Sequence, residues 1–208
     1  PENIIASYGA DAARLFILSD SPPEKDVQWS EEGIISSFKF IQKLWNLNSK
    51  IIEEIKKDHE NDHNDEITKF TNKFIEKMTK NLDDFGYNKL IANMHEMYSF
   101  LFKQVEYGYK DTTLKENYEK ILITVNPIVP HLSNECLEMI SCKKLTWPKY
   151  DPSLLREEKI KIVIQINGKK RGLVESKIDT NEENIFNMKP SDKKIMKCVE
   201  KLTLKKKI

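Results

Sequence analysis

The sequence predicts a mainly α protein, an antiparallel helical bundle followed by a small α+β domain that contains a β-hairpin. Two changes of pattern along the 208 residues carry this prediction. As far as residue 140, apolar side chains recur every three or four positions, which is the period of amphipathic helices. From Lys159 the period shortens to two, as in a half-buried strand, and Asn167-Gly168 then supplies a two-residue hairpin turn.

The first thirty residues predict two short helices and a connector. One helix spans Pro1 to Tyr8 and stops at Gly9, because glycine tolerates a left-handed conformation. The second spans Asp11 to Ser19, with its first residue as the N-cap. Pro22-Pro23 ends it, because proline cannot donate a helical hydrogen bond. The stretch up to Trp29 is then predicted to be extended.

A long amphipathic helix is predicted from Glu31 to about Lys57, capped at its start by the Ser30 hydroxyl. Its apolar stripe follows the three-and-four spacing along Ile34, Phe38, Ile41, Trp45, Asn48, Ile52 and Ile55. We therefore expect Trp45 to lie in the core of the bundle.

Further helices complete the bundle, which is predicted to cover residues 31–143. The same spacing marks three long helices and a short one, at Ile67 to Leu82, Leu90 to Val105, Leu114 to Val125 and His131 to Ile140. Pro127 and Pro130 separate the last two. Four long helices and a short fifth, joined by modest loops, predict up-and-down topology.

Residues 144–158 are predicted to be a linker, in which Trp147 fixes irregular chain to the bundle. The last domain, 159–208, adds two short helices to its hairpin, capped by Thr180 and Ser191, and then a final strand. This domain holds 14 Lys and Arg against 6 Asp and Glu, whereas the whole chain has a net charge of +1. A basic domain on an acidic body predicts a polyanionic partner.

Composition argues against several other classes of protein. No apolar run reaches the roughly 20 residues of a membrane helix, and the first residues do not form a signal peptide. The three cysteines include no CxxC pair, which indicates a reducing, cytoplasmic setting. The chain begins with Pro1 rather than Met, which predicts a piece of a longer protein. His59 and His63 have a metal-ligand spacing, but no apolar residue anchors them, so we expect a solvated loop and no metal site.

Three stretches resemble bacterial-type leucyl-tRNA synthetases, which are class I aminoacyl-tRNA synthetases. They are YGADAARLFILSDSPPEKDVQWSEEG, NPIVPHLSNE and IVIQINGKKRG, and they follow the family's order. The resemblance implies a C-terminal part of such an enzyme. Residues 1–30 would end the connection to the catalytic core, the bundle would be the anticodon-binding domain, and residues 159–208 would be a tRNA-binding domain, truncated at Ile208. In the NPIVPH elbow, His131 would be a cap or a packing group.

The resemblance also implies where the chemistry lies. The family's two ATP-binding signatures and its editing domain are absent from these 208 residues. We therefore expect the segment to bind without catalysing and to need no cofactor, whereas the full-length enzyme uses ATP with Mg²⁺. The expected partners are tRNA(Leu) and the catalytic domain of the same chain, in a cytoplasmic monomer without membrane contacts. The alternatives are a free-standing RNA-binding adaptor and a structural helical scaffold.

The predicted RNA-binding site is the hairpin NGKKRG, with Gly168, Lys169, Lys170 and Arg171. A tight turn holds three cations close together; Arg makes bidentate contacts with phosphate, whereas Lys acts as a point charge. Gly172 leaves room for a backbone or a phosphate to approach. The family pattern has a smaller, uncharged residue in place of Lys170. The alternative is a charged tip that only aids solubility.

Overall fold

The computed structural model describes the chain in eight stretches. These are residues 2–20, 26, 28–57, 65–106, 113–142, 146–155, 159–166 and 169–177. The chain divides into two compact units, Pro1–Leu155 and Arg156–Ile208. The predictions for Pro22-Pro23, for His59 and His63, for Gly168 and for everything after residue 177 lie outside the described residues.

Seven helices make up the described part of the first unit. They are α1 (Glu2–Tyr8), α2 (Ala10–Asp20), α3 (Glu31–Ile55), α4 (Asp65–Asp83), α5 (Tyr87–Glu106), α6 (Leu114–Val125) and α7 (Pro130–Met139). Helix α3 packs against α2, α5 and α7, and α4 packs against α5 and α6. The predicted helical bundle is therefore confirmed, with boundaries within a few residues of the predicted ones.

Two of the predicted helix boundaries have the local chemistry that the sequence suggested. Gly9 has a φ of +82°, so it ends α1 in the left-handed region that suits glycine. The Ser30 hydroxyl accepts a hydrogen bond from the Gly33 amide at 3.1 Å and caps α3. After α4, Phe85 has a positive φ of 54°.

Trp45 does not lie in the core, so the predicted apolar stripe of α3 is wrong at this position, although Ile34, Asn48 and Ile52 of the same stripe are buried. Its side chain is 39% exposed, whereas Leu44 is 6% and Ile51 is 0% exposed. Apolar residues cover a wide arc of α3. Two neighbouring stripes along the helix therefore both show apolar residues at a spacing of three and four. The stripe that packs against the rest of the bundle is centred on Ser37, Leu44 and Ile51, and Trp45 lies beside it at the edge.

The chain after the bundle is held against α4 before it enters the second unit. The Trp147 indole N–H donates to Thr79 Oγ1 at 3.0 Å, and the Asp151 amide donates to Asn72 Oδ1 at 2.7 Å. A 3₁₀ turn, Pro152–Leu155, follows. Trp147 therefore does fix this segment to the bundle, as predicted.

The described part of the second unit consists of two strands, β1 (Lys159–Ile166) and β2 (Lys169–Lys177). They pair antiparallel.

Candidate nucleic-acid interface

The predicted RNA-binding cations lie where β2 begins. Ile166 pairs with Lys169 at the closed end of the strand pair, and Gln165 pairs with Lys170. The next residue of β1, Ile164, pairs with Gly172, so Arg171 is an extra residue in β2. A β-bulge of this kind bends the strand and increases its local twist.

The backbone therefore brings together three of the four predicted site residues, as the consecutive positions 169–171 of β2. Gly168 lies outside the described residues. Consecutive cations repel one another, so a site of this composition gains most from an anion with several charges, such as a nucleic-acid backbone. Contacts of this type recognise phosphates rather than base sequence.

A second polar arrangement lies in the first unit, at the elbow between α6 and α7. The Asp11 carboxylate accepts hydrogen bonds from two backbone amides, that of His131 at 3.2 Å and that of Leu132 at 2.7 Å. Val129, at the N-cap of α7, makes no side-chain cap bond. Asp11 therefore caps α7 from a position about 120 residues away in the sequence, and its negative charge lies at the positive end of that helix.

This finding corrects the prediction that Asp11 caps its own helix. Helix α2 already begins at Ala10, so Asp11 is inside its first turn, and its side chain is only 6% exposed. His131 was predicted to be a cap or a packing group; instead the N-cap position of α7 is Val129, the backbone amide of His131 is itself capped by Asp11, and residue 131 is exposed. The physical reason is that a helix starting at Pro130 after an apolar Val129 has no local acceptor for its free amides.

Arg14 contacts the other side of the same elbow. Its guanidinium donates to the carbonyl of Pro127 at 2.5 Å and to that of Ile128 at 3.2 Å. These carbonyls follow the end of α6, so one turn of α2 provides both the acceptor for α7 and the donors for the turn before it. Apart from the three-residue spacing of Asp11 and Arg14, which places both on one turn of a helix, nothing in the sequence predicts this role.

A cleft of about 830 Å³ opens beside this elbow. Its walls come from α1, the first turn of α2, one edge of α3 and the start of α7, and they include Ile5, Tyr8, Gln42, Trp45, Asn46 and His131. The partly exposed indole of Trp45 is explained by this position, since the cleft and not the core lies beside it.

The described residues contain no arrangement typical of catalysis. Burial raises the pKa of the Cys136 thiol to about 12, so it is not a nucleophile at neutral pH. Burial also raises the pKa of Tyr118 well above its usual value. Within the described ranges there is no group of three His, Cys, Asp or Glu side chains that could hold a metal ion. None of the helices described is both long and apolar enough to cross a membrane.

Comparison with known families identifies the class of protein. The model of the anticodon-binding domain of tRNA ligases matches residues 64–195, which is more than half of the chain. The match runs from the start of α4 through the β1–β2 hairpin and beyond it. The chain therefore belongs to the family of tRNA-ligase anticodon-binding domains.

Its relatives within that class are leucine–tRNA ligases. The chain is 37% identical to the leucine–tRNA ligase of Orientia tsutsugamushi. The aligned region covers 95% of this chain and 25% of that ligase. The chain is 32% identical to that of Caulobacter vibrioides over 99% of its length and, again, 25% of the relative's. The chain thus spans about a quarter of the curated relatives that it matches.

A solved structure supports the fold. It is a leucyl-tRNA synthetase from Agrobacterium radiobacter K84, determined in a ternary complex with tRNA and LeuAMS. The match has a TM-score of 0.75 at 22% identity and covers 99% of this chain and 28% of that one. At 22% sequence identity, this similarity shows that the two proteins share a fold.

Proposed function

We propose that this chain is the tRNA-binding part of a leucine–tRNA ligase, the enzyme that attaches leucine to tRNA(Leu) with ATP. The observation that carries the proposal is the 37% identity to a leucine–tRNA ligase across 95% of the chain. Because the match covers 95% of the chain, almost no residues remain outside it that could form a separate functional domain.

Within this proposal the parts of the chain have separate roles. Residues 1–30 connect to the catalytic core, 31–143 form the anticodon-binding bundle, 144–158 are a linker and 159–208 are a small basic α+β domain. Leucine activation, with ATP and Mg²⁺, takes place in a catalytic domain of the same polypeptide. The enzyme is a cytoplasmic monomer, and this segment positions the tRNA without binding a cofactor itself.

The proposed contacts with tRNA are made by Lys169, Lys170 and Arg171, together with Gly168, which precedes them in the sequence. Two observations support this assignment: the three cations are consecutive at the start of β2, and the bulge at Arg171 interrupts the regular pairing. The net charge of residues 159–208, with 14 basic against 6 acidic residues, would attract the RNA backbone.

The test compares the purified chain with the full-length enzyme, after circular dichroism has verified that the chain is helical. Fluorescence anisotropy with labelled tRNA(Leu) should show binding by both proteins. Leucine-dependent pyrophosphate exchange should appear only with the full-length enzyme. Exchange by the isolated chain would contradict the proposed division of labour.

The two other functions predict different results in the same assays. An RNA-binding adaptor would bind RNA, but its reading frame would encode no nucleotide-binding domain and its full-length protein would show no pyrophosphate exchange. A structural scaffold would bind no tRNA at any salt concentration. Either result would replace the function proposed here.

A further inference from the structure

The elbow contacts of Asp11 and Arg14 have a geometry that helix packing alone does not require. Helices α2 and α3 already share an apolar cluster of Ala12, Phe16 and Ile34, which buries the surface between them. Apolar contact is non-directional, so it permits small rotations and slides. Charge-assisted hydrogen bonds are short and directional, and they therefore fix an angle.

The two side chains hold the elbow from both sides. Asp11 binds the first amides of α7, and Arg14 binds the carbonyls of Pro127 and Ile128 just before it. Because both come from one turn of α2, the direction in which α7 leaves the elbow is tied to the axis of α2. Helix α1 contributes no fully buried residue, but Ile4 and Tyr8 pack, partly buried, against the same cluster, so α1 and α2 are held together by apolar contact.

We propose that Asp11 and Arg14 form a positioning clamp that sets the angle of the bundle relative to α1–α2, and hence the place to which bound tRNA is delivered. The inference rests on the function proposed above, in which residues 1–30 connect to the catalytic core. Neither residue touches tRNA or substrate in this role; both are positioning residues that act through the elbow.

The size of the expected effect follows from the length of the bundle. Helix α3 has 25 residues and is therefore about 37 Å long. A rotation of about 5° at its α2 end would move its far end by about 3 Å, and an error of 1 Å in the placement of reacting groups can cost a factor of about 100 in rate.

The experiment uses the full-length ligase with Asp11→Ala, Arg14→Ala, the double variant, and Glu138→Ala as a control. Glu138 is an exposed acid near the end of α7. Three quantities are measured: leucine-dependent pyrophosphate exchange, the Kd for tRNA(Leu), and the single-turnover rate of leucine transfer to tRNA. For the clamp variants we expect the first two to stay within about twofold of wild type, and the transfer rate to fall at least tenfold.

Further variants separate positioning from folding. Arg14 is exposed, so Arg14→Ala should keep the fold even if Asp11→Ala does not. Asp11→Asn keeps one acceptor oxygen for the α7 amides, and it should restore part of the transfer rate. Glu138→Ala should match wild type in all three assays.

Two results would overturn the clamp while leaving the proposed function intact. One is an unchanged transfer rate in the double variant. The other is a parallel loss of exchange, tRNA affinity and transfer, which would show that the contacts only stabilise the fold. A wild-type enzyme that fails to bind tRNA(Leu) would instead overturn the proposed function.

Discussion

At the scale of single residues, a chain of polar contacts runs from the core of the bundle to Met139 at its surface. The Tyr118 hydroxyl donates to Asn48 Oδ1 at 3.0 Å, and Asn48 Nδ2 donates to Met139 Sδ at 3.6 Å. Each such bond adds only about 1 kcal/mol, but a buried group left unpaired costs about 1–3 kcal/mol. The network therefore favours the one register of α3, α6 and α7 in which all three side chains meet.

The exposure of Trp45 changes what its removal should cost. Truncating a fully buried residue costs about 3–5 kcal/mol for Trp and about 2–5 kcal/mol for Ile. Ile51, which is 0% exposed, should show the full effect as Ile51→Ala. Trp45, at 39% exposed, should lose less than about 2 kcal/mol as Trp45→Ala. Urea denaturation of both variants checks the order, and a larger loss for Trp45→Ala would contradict the register of α3 described here.

His95 should make stability depend on pH. Its ring centroid lies 3.9 Å from that of Phe40, and burial, followed by the charge of Lys43, lowers its pKa below 6.5. The unfolded chain therefore binds a proton more readily than the folded one, so stability is lost as pH falls below 6.5 and through the lower pKa of the folded chain. Because His95 lies at an exposed position, solvent screening keeps this effect small. Urea denaturation at pH 8 and at pH 5 checks this. Between these two pH values, the urea concentration at the unfolding midpoint should fall further for the wild type than for His95→Gln. An equal fall in the midpoint for both proteins would mean that the His95 ring is as accessible to water in the folded chain as in the unfolded one.

At the scale of helices, the contact between α2 and the start of α3 depends on Gly33. A Cβ there would lie 2.9 Å from Phe16 Cδ2, and the Phe16 ring is only 4% exposed and has the Trp29 ring 5.2 Å away. Alanine would add up to about 1 kcal/mol of helix propensity, but overpacking costs about 1–3 kcal/mol.

We therefore expect Gly33→Ala to lower the free energy of unfolding by about 1 kcal/mol, because the clash exceeds the gain in propensity. Ser36→Ala, at an exposed position of the same helix, should change it by less than about 0.5 kcal/mol. Thermal melts of the two variants provide the comparison. A stabilised Gly33→Ala protein would show that α2 and α3 can move apart without penalty.

The helices themselves could be predicted because their signals are local. Gly9 and Ser30 act on residues within one turn of themselves, so their roles follow from the sequence around them. The role of Asp11 could not be predicted in this way, because its partners at 131 and 132 come near only in the folded chain. The prediction that Trp45 is buried was wrong for a different reason. The apolar residues of α3 cover a wider arc of the helix than the face that packs against the bundle, so the sequence does not show which of them lie at its edge.

At the scale of the whole molecule, charge is divided between the two parts of the chain. Residues 159–208 hold 14 basic and 6 acidic side chains, which leaves 20 basic and 27 acidic ones in residues 1–158. An acidic body repels a nucleic acid while a basic domain attracts it, so the approach of RNA is oriented. This part of the candidate site could be predicted, because charge is read directly from composition. The elbow clamp could not, because it depends on tertiary contacts.

The division of charge leads to a prediction about salt. Each phosphate contact releases condensed counterions, so the logarithm of affinity falls by about 0.7–0.9 per contact for each unit of log salt. In the full-length ligase, Lys169→Ala with Arg171→Ala should weaken tRNA(Leu) binding and flatten that slope by about 1.5, while leucine activation stays unchanged. The control is Lys115→Ala with Lys120→Ala on α6, where Glu119 and Glu116 already offset each charge. That variant should keep the wild-type slope. If the salt dependence of tRNA affinity is the same in the hairpin variant as in the wild type, Lys169 and Arg171 release no counterions and are not bound to phosphate. The hairpin would then serve only to keep the protein soluble.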